Sequence, residues 1–251
     1  MDKKIDKALQ NLKSRQNYLV VQSNDLAQAF GNLSATEHKM LDYATSFITK
    51  NSTVNDQYTC DIKDILRHFG WNASGKNYER VVQTFHSLNK KDNLAIQVSD
   101  EKGEQGISFT HLFDGITIWK SGKIDFNFSF AVAPYLIDLR SNYYSFTLSE
   151  LAQIKSKYTL ILMKLWQARR MGDNAVTTIS GSLEDWEFWF LGNDRWFTSG
   201  RFKRDILNTA RDEIETKLNV SIDMNTVIKN KKTIGYEMTI RDNRQVPTID
   251  M

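Results

Sequence analysis

Four side chains between positions 201 and 208 have the chemistry to recognise a nucleic acid: Arg201, Lys203, Arg204 and Asn208, all within SGRFKRDILN. A guanidinium fits the two acceptors on the major-groove edge of guanine, and a carboxamide fits the donor and acceptor of adenine. An ammonium suits a phosphate as a point charge. Ser199 and Gly200 come just before, and the backbone N–H groups of a helix beginning there favour an anion. The longer stretch TSGRFKRDILNTARDEIETKL, residues 198–218, is basic in front and acidic behind. Phe202, Ile206, Ala210, Ile214 and Leu218 recur every four residues and Leu207 widens the stripe, so the stretch predicts one amphipathic helix. The outer face presents Arg201, Arg204, Asp205 and Asn208, then Asp212 and Glu215, with Lys203 and Arg211 on the flanks. A helix dipole favours acids at the N-terminus and bases at the C-terminus. This helix runs the other way, which points to an external anion at its front; a solvated face is the alternative. On the first reading the leading turns enter a DNA groove while Asp212 and Glu215 stay in water.

An earlier segment echoes this one. SGKNYERVVQTF from Ser74 and SGRFKRDILNTA from Ser199 each have Ser-Gly, a base, an aromatic, and an arginine two residues after that aromatic. In the first copy Tyr78, Val81, Val82, Phe85 and Leu88 face inward, leaving Lys76, Glu79, Arg80, Gln83, Ser87 and Lys90 outside. Lys76, Arg80 and Gln83 are candidate DNA contacts, whereas Glu79 in mid-face argues for a plain solvated surface, and both readings stand. The N-terminal arm, residues 1–16, carries Lys3, Lys4, Lys7, Lys13 and Arg15, either a phosphate-binding tail or a soluble terminus.

Each candidate helix sits in a longer echo. LSATEHKMLDYATSFITK from Leu33 and LSELAQIKSKYTLILMKLWQARR from Leu148 both offer Ser as an N-cap (Ser34 and Ser149) before apolar residues at helical spacing. LEDWEFWFLG (183–192) sets Leu183, Trp186 and Phe190 on one face, the core side of a helix preceding Ser199. Behind the candidate helices come alternating pairs that read as hairpins, LAIQV (94–98) with ISFTHLF (107–113), and VSIDM (220–224) with TIGYEMTI (233–240). The order helix, helix, helix, hairpin thus occurs twice, and Ser199 lies 125 positions after Ser74. A helix pair followed by a two-stranded hairpin is the winged form of helix-turn-helix, whose second helix enters the major groove. The expected fold is α+β: two tandem winged-helix domains related by internal duplication, residues 17–138 and 139–251 after the arm. GITIWKSGKIDFNFSF (115–130) adds strand to the first, and APYLIDLRSNYY (133–144) joins the halves.

Composition narrows the function classes. The 251 residues are 41% hydrophobic and 25% charged, a globular balance, with a net charge of +3. Cys60, in YTCDI, is the only cysteine, so an internal disulfide and a cysteine-rich zinc module are excluded, and it reads as a small buried hydrophobe. The N-terminus lacks the apolar core of a signal peptide, and no apolar run nears the roughly 20 residues that span a bilayer, so a cytoplasmic protein is expected. His38, His68, His86 and His111 are scattered without a His-x-His pair, and no Gly-rich GK[ST] loop occurs. Tyr143 and Tyr144 lack nearby histidine ligands that would make a tyrosine a nicking nucleophile; packing at a domain junction is their expected role. No enzyme activity, metal or cofactor is predicted.

The sequence resembles the initiator Rep proteins of theta-replicating plasmids, most closely those of low-GC Gram-positive bacteria, which bind directly repeated origin sequences called iterons. The resemblance runs from about residue 17 to residue 240 and is carried by NYLVVQSNDLAQAFGNLSATEHKML, FTLSELAQIKSKYTLILMKLWQARR and RFKRDIL. It implies two winged-helix domains that bind double-stranded iteron DNA as a monomer, both on one DNA face. It further implies a homodimer, in equilibrium with the monomer, that pairs mainly through the first domain and represses its own promoter at an operator inverted repeat. Base reading would fall mainly to Arg201, Lys203, Arg204 and Asn208, and the matching first-domain helix would begin near Lys76 and include Arg80. The family then helps open an AT-rich segment and recruits the host initiator ATPase and replicative helicase, without catalytic residues of its own. Two other functions fit the same features: a dimeric transcription repressor with no replication role, and a nicking initiator of rolling-circle type.

Overall fold

The computed structural model describes residues 17–21, 33–49, 51–90, 94–99, 105–137, 143–170, 174–191 and 197–244. The N-terminal arm and its five bases lie outside these. The chain divides into two compact units, Met1–Gln153 and Ile154–Met251.

In the first unit, strand β1 (Asn17–Val21) is followed by helix α1 (Ala35–Thr45). Ser34 caps α1 as expected: its Oγ accepts from Glu37 N at 3.3 Å while Glu37 Oε2 accepts from Ser34 N at 2.6 Å. Strand β2 (Tyr58–Asp61) leads into α2 (Ile62–His68) and the long α3 (Gly75–Lys90). Four strands follow, β3 (Leu94–Ser99), β4 (Gln105–Thr110), β5 (Phe113–Ile118) and β6 (Lys123–Phe128), then α4 (Ala133–Ile137), β7 (Tyr143–Thr147) and α5 (Leu148–Gln153). The core is aromatic. Phe85 of α3 and Phe113, Phe126 and Phe128 of the sheet are fully buried, with the Phe113 and Phe128 rings stacked at 5.3 Å. Cys60 of β2 is buried beside them, opposite Ile124.

The second unit opens on α6 (Lys157–Arg169), continues through β8 (Val176–Ser182) and α7 (Leu183–Leu191), and reaches a helix in three contiguous pieces: Ser199–Phe202, Lys203–Leu207 and Asn208–Lys217, together α8. Strands β9 (Val220–Lys229) and β10 (Lys232–Asp242) close it. Trp166, Trp186, Phe190, Phe202 and Tyr236 fill its core, and the Trp186 indole donates to the Tyr236 carbonyl at 2.9 Å.

Each unit repeats helix, strand, helix, helix and a hairpin; in the first unit the expected pairing of 94–98 with the segment from 107 forms, but it is not the hairpin that joins the sheet. The sheet orders are β8-β10-β9 and β2-β6-β5: in both, a strand preceding the helices pairs with the last strand of the hairpin. The wing of the first unit is therefore β5–β6, which the sequence presented as extra strand, while among the described residues β3 and β4 pair only with each other. ISFTHLF is divided between β4 and β5 at His111–Leu112. The physical reason lies in β6, where Ile124, Phe126 and Phe128 are buried in the aromatic core, and in a tight turn where Gly122 takes φ +90.

Two further expectations change. The units meet at 153/154 rather than 138/139, because β7 pairs antiparallel with β1, Thr147 opposite Asn17 and Tyr143 opposite Val21. The tyrosines 143 and 144 thus sit in a strand of the first unit. The segment from Leu148 is also two helices, not one. Ser149 lies inside α5, and Ser156 does the capping, its Oγ accepting from Tyr158 N at 3.1 Å.

Candidate nucleic-acid interface

Helix α8 buries Phe202, Ile206, Leu207, Ala210 and Ile214. Apolar residues every four positions drift by about 40° per step on a helix of 3.6 residues per turn. The π turn over Lys203–Leu207 widens the winding where that drift begins, keeping Phe202 and Ala210 on the same core. At the front, Phe202 N donates to Thr198 O at 2.8 Å and the Tyr236 hydroxyl donates to Ser199 O at 2.7 Å, so the start of the helix is pinned to β10. A side chain added at Gly200 would meet nothing within 4 Å, so the leading turn faces open space at that position.

The expected basic face is present. The side chains of Arg201 and Arg204 are 62% and 72% exposed. Both converge on Asp205: Arg201 Nε lies 3.3 Å from Oδ2, and Arg204 Nε and Nη2 donate to Oδ1 and Oδ2 at 2.6 and 3.1 Å. The Arg204 hydrogen bond holds the Asp205 carboxyl below its ordinary value, and Asp205 in turn raises that of Arg204. Arg201 also lies over the Phe197 ring at 4.7 Å. Lys203 is turned toward β9, where Nζ donates to Thr226 Oγ1 at 2.8 Å. Asn208 is half-buried, and its Oδ1 is buried without a hydrogen-bond partner.

The acidic rear of α8 is not idle in water. Glu213 accepts from Lys155 N and Ser156 N at 2.7 and 3.0 Å, anchoring the start of α6. Glu215, expected to stand clear in solvent, is half-buried and accepts from Ile222 N of β9 at 2.7 Å. Asp212 stays exposed as expected, paired with Arg211 at 2.7 Å, whereas Glu213 and Glu215 trail because neighbouring elements present backbone N–H groups there, of which spacing along α8 alone carried no signal. Beyond lies the wing, whose two-residue turn places Asn230 and Lys231 at φ 52 and 62 between the paired Lys229 and Lys232. Lys229, Lys231 and Lys232 are exposed, as are Val227, Ile228 and Ile234. This basic tip escaped the sequence reading, although the run KNKK was visible in it.

On α3, Lys76 and Gln83 are exposed and Gly75 opens onto free space. Arg80 is exposed as a residue, but its guanidinium lies 4.2 Å over the Trp71 ring and Nη2 donates to Thr36 Oγ1 at 2.8 Å, tying α3 to α1. The wing of this unit carries an exposed Trp119, whose indole N–H donates to Asp125 Oδ2 at 2.7 Å. Asp125 also accepts from Thr59 and Lys123; these bonds, Thr59 first and then Trp119, lower its pKa to about 2. Among the described residues no three His, Cys, Asp or Glu side chains are grouped to hold a metal, and no helix is long and apolar enough to cross a membrane.

Residues 19–167 match the family profile described as initiator replication protein, WH1. No curated protein matches the chain. Among solved structures, the Pi initiator protein in complex with iteron DNA aligns with a TM-score of 0.74 at 14% identity, over 92% of this chain and 99% of that one. Domains 2 and 3 of RctB align at 0.49 and 14% identity, over 88% and 82% of the two chains. The WH1 domain of MSBI1.176, a replication protein isolated from a multiple sclerosis patient, aligns at 0.38 and 18%, over 47% and 90%. The sequence match spans more than half of the chain and the likeness to the Pi initiator extends the shared fold through α8 and its wing, so the protein belongs to the family of winged-helix replication initiators.

Proposed function

We propose that this protein binds repeated duplex sequences at a plasmid origin and reads them chiefly with α8. The observation that carries the proposal is the leading turn of α8, where Arg201 and Arg204 stand exposed and mutually held at an open helix start. An exposed guanidinium pair of this kind can address neighbouring guanines. Ser199 and Gly200 offer backbone N–H groups to a phosphate. Lys203 has donors to spare beyond its bond to Thr226, and with Lys229, Lys231 and Lys232 it reaches the backbone beside the groove. Asn208 stands at the rear of the same contact, where its side chain has to turn the now-buried Oδ1 outward to read adenine.

In the first unit Lys76 and Gln83 contribute phosphate or base contacts from α3, while Arg80 braces the helix against α1 and Trp71. That the Pi initiator was solved with iteron DNA supports duplex binding as the shared activity. We further propose that the first unit mediates a homodimer in equilibrium with the monomer, that the dimer represses its own promoter at an inverted repeat, and that the DNA-bound monomer recruits the host initiator ATPase and replicative helicase.

Selection of duplexes from a random pool by the full chain tests the central claim. One recurring motif should emerge, and its log K should fall with log[salt] with a slope steeper than about −4, since each neutralised phosphate contributes roughly −0.9. A pool with no enriched motif, or a flat salt dependence, would exclude the reading. A marker plasmid carrying tandem copies of the motif should replicate only when the protein is supplied; binding without replication would leave a repressor.

A further inference from the structure

Asp205 is the only acid between Thr198 and Arg211, placed in the middle of an otherwise basic face. As a helix-stabilising device it is badly placed. An acid helps in the first turn, and an i, i+4 ion pair is stronger with the acid on the N-terminal side, whereas here Arg201 precedes Asp205. Exposed pairs of this kind add little to stability in any case. Its geometry serves another end. One carboxylate receives both arginines of the face, Arg201 through Nε, and Arg204 through Nε and Nη2. A guanidinium has five N–H donors, so Arg201 keeps both terminal nitrogens and Arg204 keeps three N–H groups for a ligand. Neither arginine is blocked, and both are fixed.

We propose that Asp205 is a specificity-determining positioning residue: it holds Arg201 and Arg204 as one preset fork for base edges and withholds them from unrelated phosphates. This rests on the reading of α8 as the base-reading helix. Two long flexible side chains lose much rotamer freedom when they dock, and prior pairing removes that cost for the ligand that fits the preset geometry. A phosphate met in the wrong register is opposed by the carboxylate charge and must break the pairs to recruit the arginines. Discrimination therefore gains from an acid that lowers raw attraction, since specificity is a difference of affinities. The Phe197 ring, 4.7 Å from the Arg201 guanidinium, adds a second constraint in the same direction.

The test uses the full chain, the duplex most enriched by wild type from a random pool, and an unrelated duplex of equal length and base composition, titrated at several salt concentrations. Asp205→Asn, isosteric and on the surface, should bind the unrelated duplex about tenfold more tightly at low salt. Its salt slope there should steepen by between one and two, because each arginine freed to a phosphate adds roughly −0.9. The ratio of selected to unrelated binding should fall at least about tenfold. Asp205→Glu, which keeps the charge, should keep the wild-type slope on the unrelated duplex. A purely structural role would move thermal stability and leave slope and ratio alone, and that result overturns the proposal. Arg204→Ala on the selected duplex separates the two levels of argument. If it leaves affinity and base preference intact, α8 is not the reader and both claims fail. If it weakens binding while Asp205→Asn leaves the ratio unchanged, only the role of Asp205 falls.

Discussion

Glu213 gives the most direct check on how the second unit is assembled. Its carboxylate accepts from two consecutive backbone N–H groups, Lys155 at 2.7 Å and Ser156 at 3.0 Å, at the start of α6. Hydrogen bonds to a charged group contribute about 1.5–3 kcal/mol each when sheltered. The Lys155 bond is exposed, so water replaces it at little cost, and the Ser156 bond dominates. Adding a favourable interaction with the N-terminal dipole of α6, about 0.3–1 kcal/mol, gives roughly 2 kcal/mol for Glu213→Ala. For a unit of this size each kcal/mol moves the midpoint by about 4–8 °C, so the transition should fall by about 8–16 °C. Glu213→Gln keeps one acceptor oxygen without the charge and should lose about half as much. Urea titration gives the stability, and hydrogen exchange at the amides of 155 and 156 localises it. If Glu213→Ala leaves those amides as protected as in wild type and the midpoint unmoved, or if the Gln variant is as damaged as the Ala variant, the anchoring argument is refuted.

Arg204→Ala should cost about 1–3 kcal/mol of DNA affinity and relax base preference at one position of the repeat, measured by titration against single-base variants of the selected duplex. Lys203→Ala should weaken all sequences about equally and lower the salt slope by about one. Asp125 has a depressed folded pKa, so its contribution is complete above the unfolded value of 3.8 and fades as pH falls through about 2. Asp125→Ala should therefore melt earlier than wild type at neutral pH, with the gap closing in thermal scans run down toward pH 2. Glu187 is the opposite case: burial raises its pKa, so ionising it in the fold is unfavourable, and stability present below the unfolded value of 4.5 is lost as pH rises through the folded one. Glu187→Gln, which can still accept from Phe197 N, should be more stable than wild type at neutral pH and indistinguishable from it below pH 4.5.

Local signals in the chain were legible and non-local ones were not. The stripe from Phe202 to Leu218 and the Ser34 N-cap depend on residues within a turn or two, and both appear where spacing put them. Pairing partners do not announce themselves in this way. The segments 94–98 and 115–118 alternate equally well, and only the presence of β2, some sixty residues before β6, makes β5–β6 the wing. Strand β8 offers VTTISGS, whose threonines and serines give weak hydrophobic contrast, so it was not anticipated. The break before α6 is capped by a carboxylate 58 residues away. The candidate face of α8 was readable from its charges, but the partners that orient it, Thr226 for Lys203 and Phe197 for Arg201, lie off the helix. The same holds for Arg80, whose stacking on Trp71 no helical wheel displays.

The pairing of β1 with β7 has a consequence for synthesis on the ribosome. Residues 17–21 emerge first, yet their partner at 143–147 is made last among the strands of that unit. Until then β1 offers a bare row of N–H and C=O groups, a template for pairing with another chain. The nascent unit can assemble the sheet of β2, β5 and β6 beforehand, but closing its terminal strand must wait for the long-range contact. A chain stalled or truncated at residue 138 keeps the template and lacks the partner, so it should self-associate, whereas one carried through Gln153 should not. Arrested nascent chains of increasing length should accordingly gain protease resistance of the N-terminal strand only once residue 147 has cleared the exit tunnel.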